Sequence, residues 1–407
     1  MNKDNIFEGE KLSEMSVQEV CRAGAQMLLK KAIAEEAMRF LESKKELRDT
    51  SGRRRIVLNG YLPEREIVTA AGRIRIKMPR IRDRKGDVEF TSTLIPKYLR
   101  RTKEMDEFIP FLYLKGISTG DFSEVLTNLL GQEAEMSAST VVRLKEVWGR
   151  EHEEWRQRDL SGKKYAYWWV DGIYFNNRLE DERSCILVIV GAEEGGKKEL
   201  VAVSAGHRES ELSWREIMME LKQRGLKEGP GLAIGDGSLG FWLAKDKEYP
   251  KARDQRCWVH KTANVLDKMP KSVQKQAKKM IQDIYMADKK VLAEAAFDVF
   301  ISLYEDKYPK AVACLAKDRN ALMTFYDFPA AHWRHIRTTN PIESTFATVR
   351  LRTMKTKGCG TAKATEMMVF KLVQSAEKRW QRIHCSKLIP LVLAGAHFID
   401  GELSKAA

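Results

Sequence analysis

The 407-residue chain lacks the features that mark membrane, secreted and disulfide-stapled proteins. No apolar run approaches the roughly 18 residues that a transmembrane helix needs. The opening residues, MNKDNIFEGEKLSEM, are polar and hold no apolar stretch of the kind found in signal peptides. None of the six cysteines forms a CxxC pair, so reduced thiols are expected rather than a disulfide framework. We therefore expect a soluble protein of the cytoplasm, with no membrane partner.

Acidic residues are too few to balance the basic ones. The chain has 71 Lys and Arg against 57 Asp and Glu, which gives a formal net charge of +14. Most of the excess lies between residues 51 and 103, where 15 Lys and Arg face 5 Asp and Glu. A run of charge is often only a solvated face, but a cluster this concentrated attracts polyanions and indicates contact with DNA or RNA.

The first hundred residues change from a helical to a strand-like pattern. Residues 16–47 carry apolar side chains at three- and four-residue steps, which predicts an amphipathic helix within a helical region 1–52. In residues 53–102 the segment GRIRIKMPR alternates basic and apolar side chains, as half-buried strands do, so we expect a small β unit. Its basic side chains are candidate contacts to DNA phosphates. They are Arg73, Arg75, Lys77, Arg80 and Arg82.

Three short helical segments follow between residues 103 and 155. Short helices joined by tight turns are typical of a helix-turn-helix, so a DNA-binding domain is expected at 103–160. Arg143 and Lys145 on the third segment are candidate DNA contacts. A small helical bundle with another role would give the same pattern.

From residue 161 onward the pattern indicates an α/β fold. Three strand-like segments, YAYWWVDGIYF, CILVIVGA and ELVAVSAG, precede an amphipathic helix, the strand GLAIG and a further strand-like segment, RCWV. Three antiparallel strands followed by αβ units predict a ribonuclease H-like core, interrupted here by a lysine-rich helical stretch. The expected parts are a first core segment 161–262, an α-helical insertion 263–330, a last core segment 331–385 and a tail 386–407.

Two aspartates at strands and one glutamate at a helix start are candidate metal ligands. Asp171 lies inside an apolar strand, where a carboxylate is costly unless it is paired or metal-bound, although Asp-Gly also forms hairpin turns. Asp236 follows GLAIG, at the end of a strand where α/β sites gather, although Asp-Gly is also a plain turn there. With Asn340 as N-cap and Pro341 at N1, Glu343 could equally be a capping residue at N3.

The three carboxylates together make a stronger prediction than any one alone. Carboxylates from two strands and a helix start can converge on two Mg²⁺ ions about 3.5–4 Å apart. Mg²⁺ prefers oxygen ligands and leaves positions for phosphate oxygens, and Mn²⁺ is its usual substitute. The set therefore predicts phosphodiester hydrolysis or transesterification with two ions per active site.

Other polar residues flank the candidate acids. Cys257 and His260 form a CxxH pair, which is either half of a zinc site completed by His332 and His335 or a structural pair near the metal site. Trp333 either stacks on an unpaired base or lies in the core. Basic side chains after the third acid are candidate phosphate contacts or ordinary solvated charge. They are Arg350, Arg352, Lys355 and Lys357.

Four segments resemble, in order, the signature blocks of bacterial Mutator-type insertion-sequence transposases, which belong to the DDE class. They are WWVDGIYFNNR, IGDGSLGFW, RCWVHKTANVL and TTNPIESTFATVRLRTMKTKG. Earlier segments, from NGYLPERE to SASTVVRL, are similar to the N-terminal half of that family, so the resemblance covers about residues 50–385. It implies that Asp171, Asp236 and Glu343 are the metal-binding triad and that Cys257 and His260 are the family's CxxH motif.

The resemblance also implies an activity and partners. It implies that the protein cleaves double-stranded DNA at the terminal inverted repeats of its insertion sequence and joins the 3′ hydroxyl to target DNA. It also implies that the protein acts as a homodimer or larger assembly. Two other functions use the same features. A DNA-binding regulator or inactive derivative would bind without reacting, and a metal-dependent nuclease would cleave without joining.

Overall fold

The computed structural model describes residues 15–114, 117, 121, 124–125, 127, 138–175, 184–206, 208–237, 239–355 and 361–404. The chain divides into two compact units, 1–144 and 145–407. Within the described ranges, no helix combines the length and the apolarity needed to cross a membrane.

The first unit packs one long helix on short antiparallel strands. Its described elements are α1 (Val17–Ser43), β1 (Ile56–Tyr61), β2 (Arg65–Thr69), β3 (Gly72–Ile76), β4 (Pro79–Asp83) and α2 (Lys103–Leu114). The predicted N-terminal helix is confirmed, and a capping box between Ser16 and Glu19 starts it. Strand β1 pairs with β4 and β2 pairs with β3. Ile33 of α1 meets Ile67 and Ile74 of the strands in a small apolar core.

The basic strands of this unit show the expected half-buried alternation. In β3, Ile74 and Ile76 are buried whereas Arg75 is exposed. Arg73 and Arg75 both pair with Glu66 on β2, at 3.0 Å. The other predicted contacts of this region, Lys77, Arg80 and Arg82, are exposed. Exposure leaves these three side chains accessible to phosphate.

The predicted helix-turn-helix is covered only in part. Helix α2 matches the first expected helix, and α3 (Ala138–Arg156) matches the third. Most of the expected middle helix, 118–131, lies outside the described residues. Arg143 and Lys145 lie on α3.

A mixed five-stranded sheet organises the second unit. Its strands are β5 (Tyr165–Phe175), β6 (Ser184–Glu193), β7 (Lys198–Gly206), β8 (Leu232–Gly235) and β9 (Arg253–Arg256). The spatial order is β7-β6-β5-β8-β9. The first three strands are antiparallel neighbours, and β8 and β9 run parallel to β5. The expected α/β class, with three leading antiparallel strands, is confirmed.

Helices surround the sheet and follow it along the chain. They are α4 (Glu211–Gln223), α5 (Leu239–Glu248), α6 (Trp258–Leu266), α7 (Lys271–Met286), α8 (Lys290–Tyr304), α9 (Pro309–Ala316), α10 (Arg319–Met323), α11 (Trp333–Ile336), α12 (Asn340–Lys355), α13 (Ala362–Glu377) and α14 (Ile389–Leu393). A last two-stranded hairpin consists of β10 (Phe398–Ile399) and β11 (Glu402–Leu403). The predicted helical stretch after the sheet and the helix around Pro341 are both present.

The strand predicted at RCWV is not formed as expected. RCWV was expected to be a strand, but β9 ends at Arg256, and Cys257 is the N-cap of α6. Trp258, Lys261 and Val265 are buried at helical spacing. A short apolar run does not distinguish a strand from the first turn of a buried helix, which explains the error.

The core lies on both faces of the sheet because β5 and β6 are apolar on both sides. On one face Trp168 of β5 packs with Trp214 of α4 and with Phe241 and Trp242 of α5. The rings of Phe241 and Trp242 meet edge to face at 4.9 Å. Side chains alternate along a strand, so Asp171 lies on the opposite face from Trp168.

Gly240, in the first turn of α5, packs against the backbone that enters α4. A methyl group at Gly240 would overlap the carbonyl group of Glu209 and lie 2.7 Å from the amide nitrogen of Glu211. Because backbone cannot swing aside, we expect Gly240→Ala to lower the free energy of unfolding by about 1–3 kcal/mol, despite the better helix propensity of alanine. Gly237→Ala is the matched control, since its methyl would meet nothing within 4 Å. Equal melting temperatures for the two variants would contradict this expectation.

Candidate active site

Strand register brings Asp171 and Asp236 together. Strands β5 and β8 are parallel neighbours, with Trp169 opposite Ile234. The same register, extended by two residues, places Asp171 opposite Asp236. Neighbouring strands lie about 4.8 Å apart, so the two carboxylates emerge side by side where β8 ends.

Asp171 is half-buried among other charged groups. Burial raises the pKa of Asp171 to about 7, and the carboxylates of Asp236 and Glu209 add to that rise. The His260 imidazole and a 2.9 Å hydrogen bond from the Gly172 amide act to lower this pKa. The Glu209 side chain lies so close that a methyl group on Gly172 would overlap it. A carboxyl group with a strongly perturbed pKa beside further acids is typical of a functional site.

The backbone of Asp236 is held by two donors. Trp242 Nε1 and Arg256 Nη1 both donate to the Asp236 carbonyl oxygen, each at 3.0 Å. The Arg256 guanidinium also lies over the Trp242 ring, 4.0 Å from its centroid. These contacts fix the turn from which the Asp236 side chain extends.

Glu343 enters from the first turn of α12. The helix begins at Asn340, and the carbonyl oxygen of Thr339 accepts from the amides of Ile342 and Glu343 at 2.9 and 3.1 Å. The predicted N-cap is therefore wrong by one residue, since Thr339 precedes the helix and Asn340 is already N1. The run TTN offers three adjacent residues that all favour N-cap positions, so sequence could not choose among them.

Thr339 connects Glu343 to the CxxH pair. Its hydroxyl donates to Glu343 Oε1 at 2.8 Å and lies 3.4 Å from both Cys257 Sγ and His260 Nδ1. Its amide donates to Cys257 Sγ at 3.3 Å. Thr339 is fully buried, so this network is fixed by packing as well as by hydrogen bonds.

His260 carries a positive charge at neutral pH in this setting. Its hydrogen bond to Cys257 raises the pKa of His260 to about 9. The carboxylates of Asp171 and Glu343 add to that rise, and burial acts against it. His260 Nδ1 lies 3.9 Å from Glu343 Oε1, so the two form an ion pair. The imidazolium offsets part of the negative charge that the acids accumulate.

The zinc site that included two later histidines is not formed. His332 Nδ1 lies 2.6 Å from the Tyr167 hydroxyl, and its Nε2 lies 3.3 Å from the Cys385 carbonyl. His335 Nε2 accepts from the His384 amide at 3.2 Å. In the part of the chain that the structure describes, the potential ligand group contains the CxxH pair and the α12 glutamate instead.

Trp333 lies in the core. Its Nε1 donates to the Phe328 carbonyl at 2.8 Å, and its ring packs against Phe325 and Tyr326 at 5.4 and 4.9 Å. These contacts account for the tryptophan without a nucleic-acid base.

Three of the four predicted basic contacts after the third acid lie on α12. Arg350 is exposed on this helix, two turns beyond Glu343. Arg352 and Lys355 lie on the same helix, whereas Lys357 lies outside the described residues. Their contact with phosphate stays a prediction.

Two residues at the site were not predicted. Glu209 precedes α4 on a loop and reaches Gly172, and the hydroxyl of Thr339 holds Glu343. Neither has a local sequence signal. Glu209 is distant in sequence from every other acid of the site, so only the fold reveals its position.

The raised pKa of Asp171 predicts a loss of stability with rising pH. Below its folded pKa of about 7 and above its ordinary value of 3.8, the folded chain holds a proton that the unfolded chain releases. In metal-free protein, Asp171 should therefore contribute a loss of stability on the order of a few kcal/mol between about pH 4 and 7. The lowered pKa of His335, about 4, contributes in the opposite direction in both proteins. We expect the difference in stability between Asp171→Asn and wild type to shift in favour of the variant as the pH rises through this range.

Urea denaturation in a chelator, at several pH values, measures this difference. The pKa of His260 is raised from 6.5 to about 9, so its stabilisation is lost as the pH rises above about 6.5. Groups away from Asp171 contribute to both proteins, so the difference between the two profiles below about pH 6.5 reports Asp171. Parallel profiles for wild type and Asp171→Asn would contradict the assignment of a buried, protonated carboxyl group.

Comparison with known proteins gives a consistent result. The sequence profile described as "Transposase, Mutator family" matches residues 2–383. The chain is 51% identical over 286 residues to the transposase for insertion sequence element IST2 of Acidithiobacillus ferrooxidans, covering 68% of this chain and 94% of that protein. It is 48% identical over 299 residues to the transposase for IS6120 of Mycolicibacterium smegmatis, covering 74% and 92%. A transposase for IS256 in Tn4001 of Staphylococcus aureus is 30% identical over 298 residues, covering 72% and 74%.

Proposed function

Because the chain belongs to the Mutator family of transposases, we propose that it is the DNA transposase of a bacterial insertion sequence. It binds the terminal inverted repeats of its element, cleaves the DNA to expose 3′ hydroxyls and joins these to target DNA. The observation that supports this proposal is that His260 interacts both with Asp171, which lies beside Asp236, and with Glu343.

A ribonuclease H-like core of the DDE class is part of this proposal. Three antiparallel strands with two parallel strands added beside β5 support it. Helices α7 to α10, between α6 and the helix of Glu343, support an insertion at 263–330. The proposed domains are a helical region 1–52, a basic β unit 53–102, a helix-turn-helix domain 103–160, core segments 161–262 and 331–385, and a tail 386–407.

The residues at the site fit a pair of Mg²⁺ ions. Burial raises the pKa of Asp171, the neighbouring carboxylates add to that rise, and bound cations would relieve the repulsion among the acids. The donors are carboxylate oxygens, which Mg²⁺ and its substitute Mn²⁺ prefer. Two bound ions would supply activation of water or a 3′ hydroxyl and stabilisation of the leaving oxygen.

The chain's own groups hold and orient the acids. Asp171 stands on the rigid central strand, and the Asp236 turn is pinned by Trp242 and Arg256. Thr339 fixes Glu343 Oε1 through its hydroxyl and leaves the second carboxylate oxygen for a ligand. In this proposal Glu343 is both a helix-start residue and a metal ligand.

DNA partners are proposed for the basic surfaces. The exposed Lys77, Arg80 and Arg82 of the first unit would contact phosphates, and Arg350 would do so beside the acids. Reaction at two element ends requires two active sites, so a homodimer or larger assembly is proposed. The substrate places the protein with the nucleoid in the bacterial cytoplasm.

The test is a strand-transfer assay. Purified protein is incubated with Mg²⁺, a labelled duplex that carries the end of its own element, and supercoiled plasmid. We expect the label to become covalently joined to the plasmid. Release of cleaved label without joining would indicate a nuclease, and binding without reaction would indicate a regulator, so either result would overturn the proposal.

A further inference from the structure

Cys257, His260 and Glu343 form a group that the proposed Mg²⁺ chemistry does not explain. One ligand atom from each of the three lies within 4.8 Å of the others. His260 Nδ1 and Glu343 Oε1 are 3.9 Å apart, and His260 is hydrogen-bonded to Cys257. In a tetrahedral zinc site with bonds of 2.0–2.3 Å, ligand atoms lie about 3.2–3.8 Å apart. Small side-chain movements would therefore suffice to enclose an ion.

The ligand atoms of this group include sulfur and nitrogen, whereas Asp171 and Asp236 offer only oxygen. Sulfur and imidazole nitrogen are ligands for Zn²⁺ and related thiophilic ions, whereas Mg²⁺ takes oxygen. Cysteine, histidine and glutamate together make a three-ligand set that leaves a fourth position open. The His260 and Glu343 side chains are each about one-third exposed, at 34% and 29%, so an ion and a fourth ligand can enter.

Groups around the three ligands are placed as supporting partners. The Thr339 amide donates to Cys257 Sγ at 3.3 Å, and the Thr339 hydroxyl donates to Glu343 Oε1 at 2.8 Å. Such bonds orient the ligands of metal sites. Cys257 is also held by its own amide, which donates to the Gly235 carbonyl at 2.7 Å, so the sulfur is fixed beside the end of β8.

We propose that Cys257, His260 and Glu343 bind one thiophilic divalent cation, such as Zn²⁺, at a site that competes with the catalytic Mg²⁺ ions for Glu343. Binding takes the three side chains and a water molecule, and it releases the thiol proton of Cys257 and one imidazolium proton of His260 to solvent. Its consequence for activity rests on the proposed function, because an ion that holds Glu343 on the thiolate side withholds it from Asp171 and Asp236. Micromolar zinc then inhibits Mg²⁺-dependent strand transfer.

The test is a Co²⁺ titration of the metal-free, full-length protein, followed by the thiolate-to-cobalt charge-transfer absorption. Wild type should show this band at one equivalent, and Zn²⁺ should remove it. Cys257→Ser should lose the band and bind Zn²⁺ at least about 100-fold more weakly. His260→Gln should also weaken binding. Because the His260 side chain is partly exposed, this variant tests the site even if substitution of the buried Cys257 disturbs folding.

Two control variants separate this site from other thiols and from the catalytic acids. Cys385→Ser should keep the band, since Cys385 lies outside the group. Asp236→Asn should also keep it, although the proposed function requires this variant to be inactive in strand transfer. Zn²⁺ inhibition of wild type should ease as Mg²⁺ is raised.

The failure of this inference is distinct from failure of the proposed function. A wild-type titration without the band, or a band that survives in Cys257→Ser, overturns the thiophilic site even if DNA is joined normally. A band that behaves as described supports the site even in a protein that fails to join DNA.

Discussion

Replacing Glu343 by glutamine is expected to reduce Mg²⁺-dependent strand transfer by at least about 10³-fold, because a metal contribution of several kcal/mol is lost. Glutamine keeps the size of the side chain and an oxygen that accepts the 2.8 Å hydrogen bond from Thr339. The start of α12 should therefore stay intact. Affinity for element-end DNA, measured by gel shift, should stay within a few-fold of wild type.

Glu305→Gln is the matched control for that change. Glu305 lies at the end of α8 and is exposed, so its substitution should leave strand transfer unaltered. If Glu343→Gln retained more than about a tenth of wild-type activity, Glu343 would be a helix-start residue only and the triad would be wrong.

Replacing Thr339 by valine is expected to reduce strand transfer by about 10–100-fold, the usual cost of removing a partner of a metal ligand. Valine has the shape of threonine and suits a fully buried position, but it removes the hydroxyl that holds Glu343 Oε1. The carboxylate then loses its orientation. We expect the concentration of Mn²⁺ needed for half-maximal activity to rise and excess Mn²⁺ to restore part of the rate.

Thr339→Ser shows whether Thr339 acts by orienting the Glu343 carboxylate or only by packing in the core. Serine keeps the hydroxyl and loses only a methyl group, so its activity should fall within a few-fold of wild type even if its melting temperature drops. Equal loss in both variants, in step with their stability, would show that Thr339 acts only through packing.

Sequence singled out Asp171 because the cost of burying a charge is visible in a pattern. A carboxylate inside YAYWWVDGIYF needs a compensating partner, and the structure places Asp171 beside Asp236 and His260. The alternation of apolar and basic side chains in β3 was equally clear, since successive side chains of a strand point to opposite faces and only one face is solvated. These features depend on a few neighbouring residues, which sequence displays directly.

Features that depend on several distant segments could not be predicted. Glu209 meets Gly172 only because the loop before α4 returns across β5. Thr339 contacts Cys257 because α12 starts beside the β9–α6 junction, where the Trp258 amide donates to the Arg337 carbonyl at 3.0 Å. RCWV was misassigned because four residues are too few to reveal a period.

The most direct test of the central claim is anomalous diffraction from crystals of the protein soaked in Mn²⁺. The account predicts two manganese peaks about 3.5–4 Å apart, held by Asp171, Asp236 and Glu343. Asp236→Asn crystals should lose at least one peak. A wild-type crystal with full manganese occupancy elsewhere and none between these carboxylates would contradict the account.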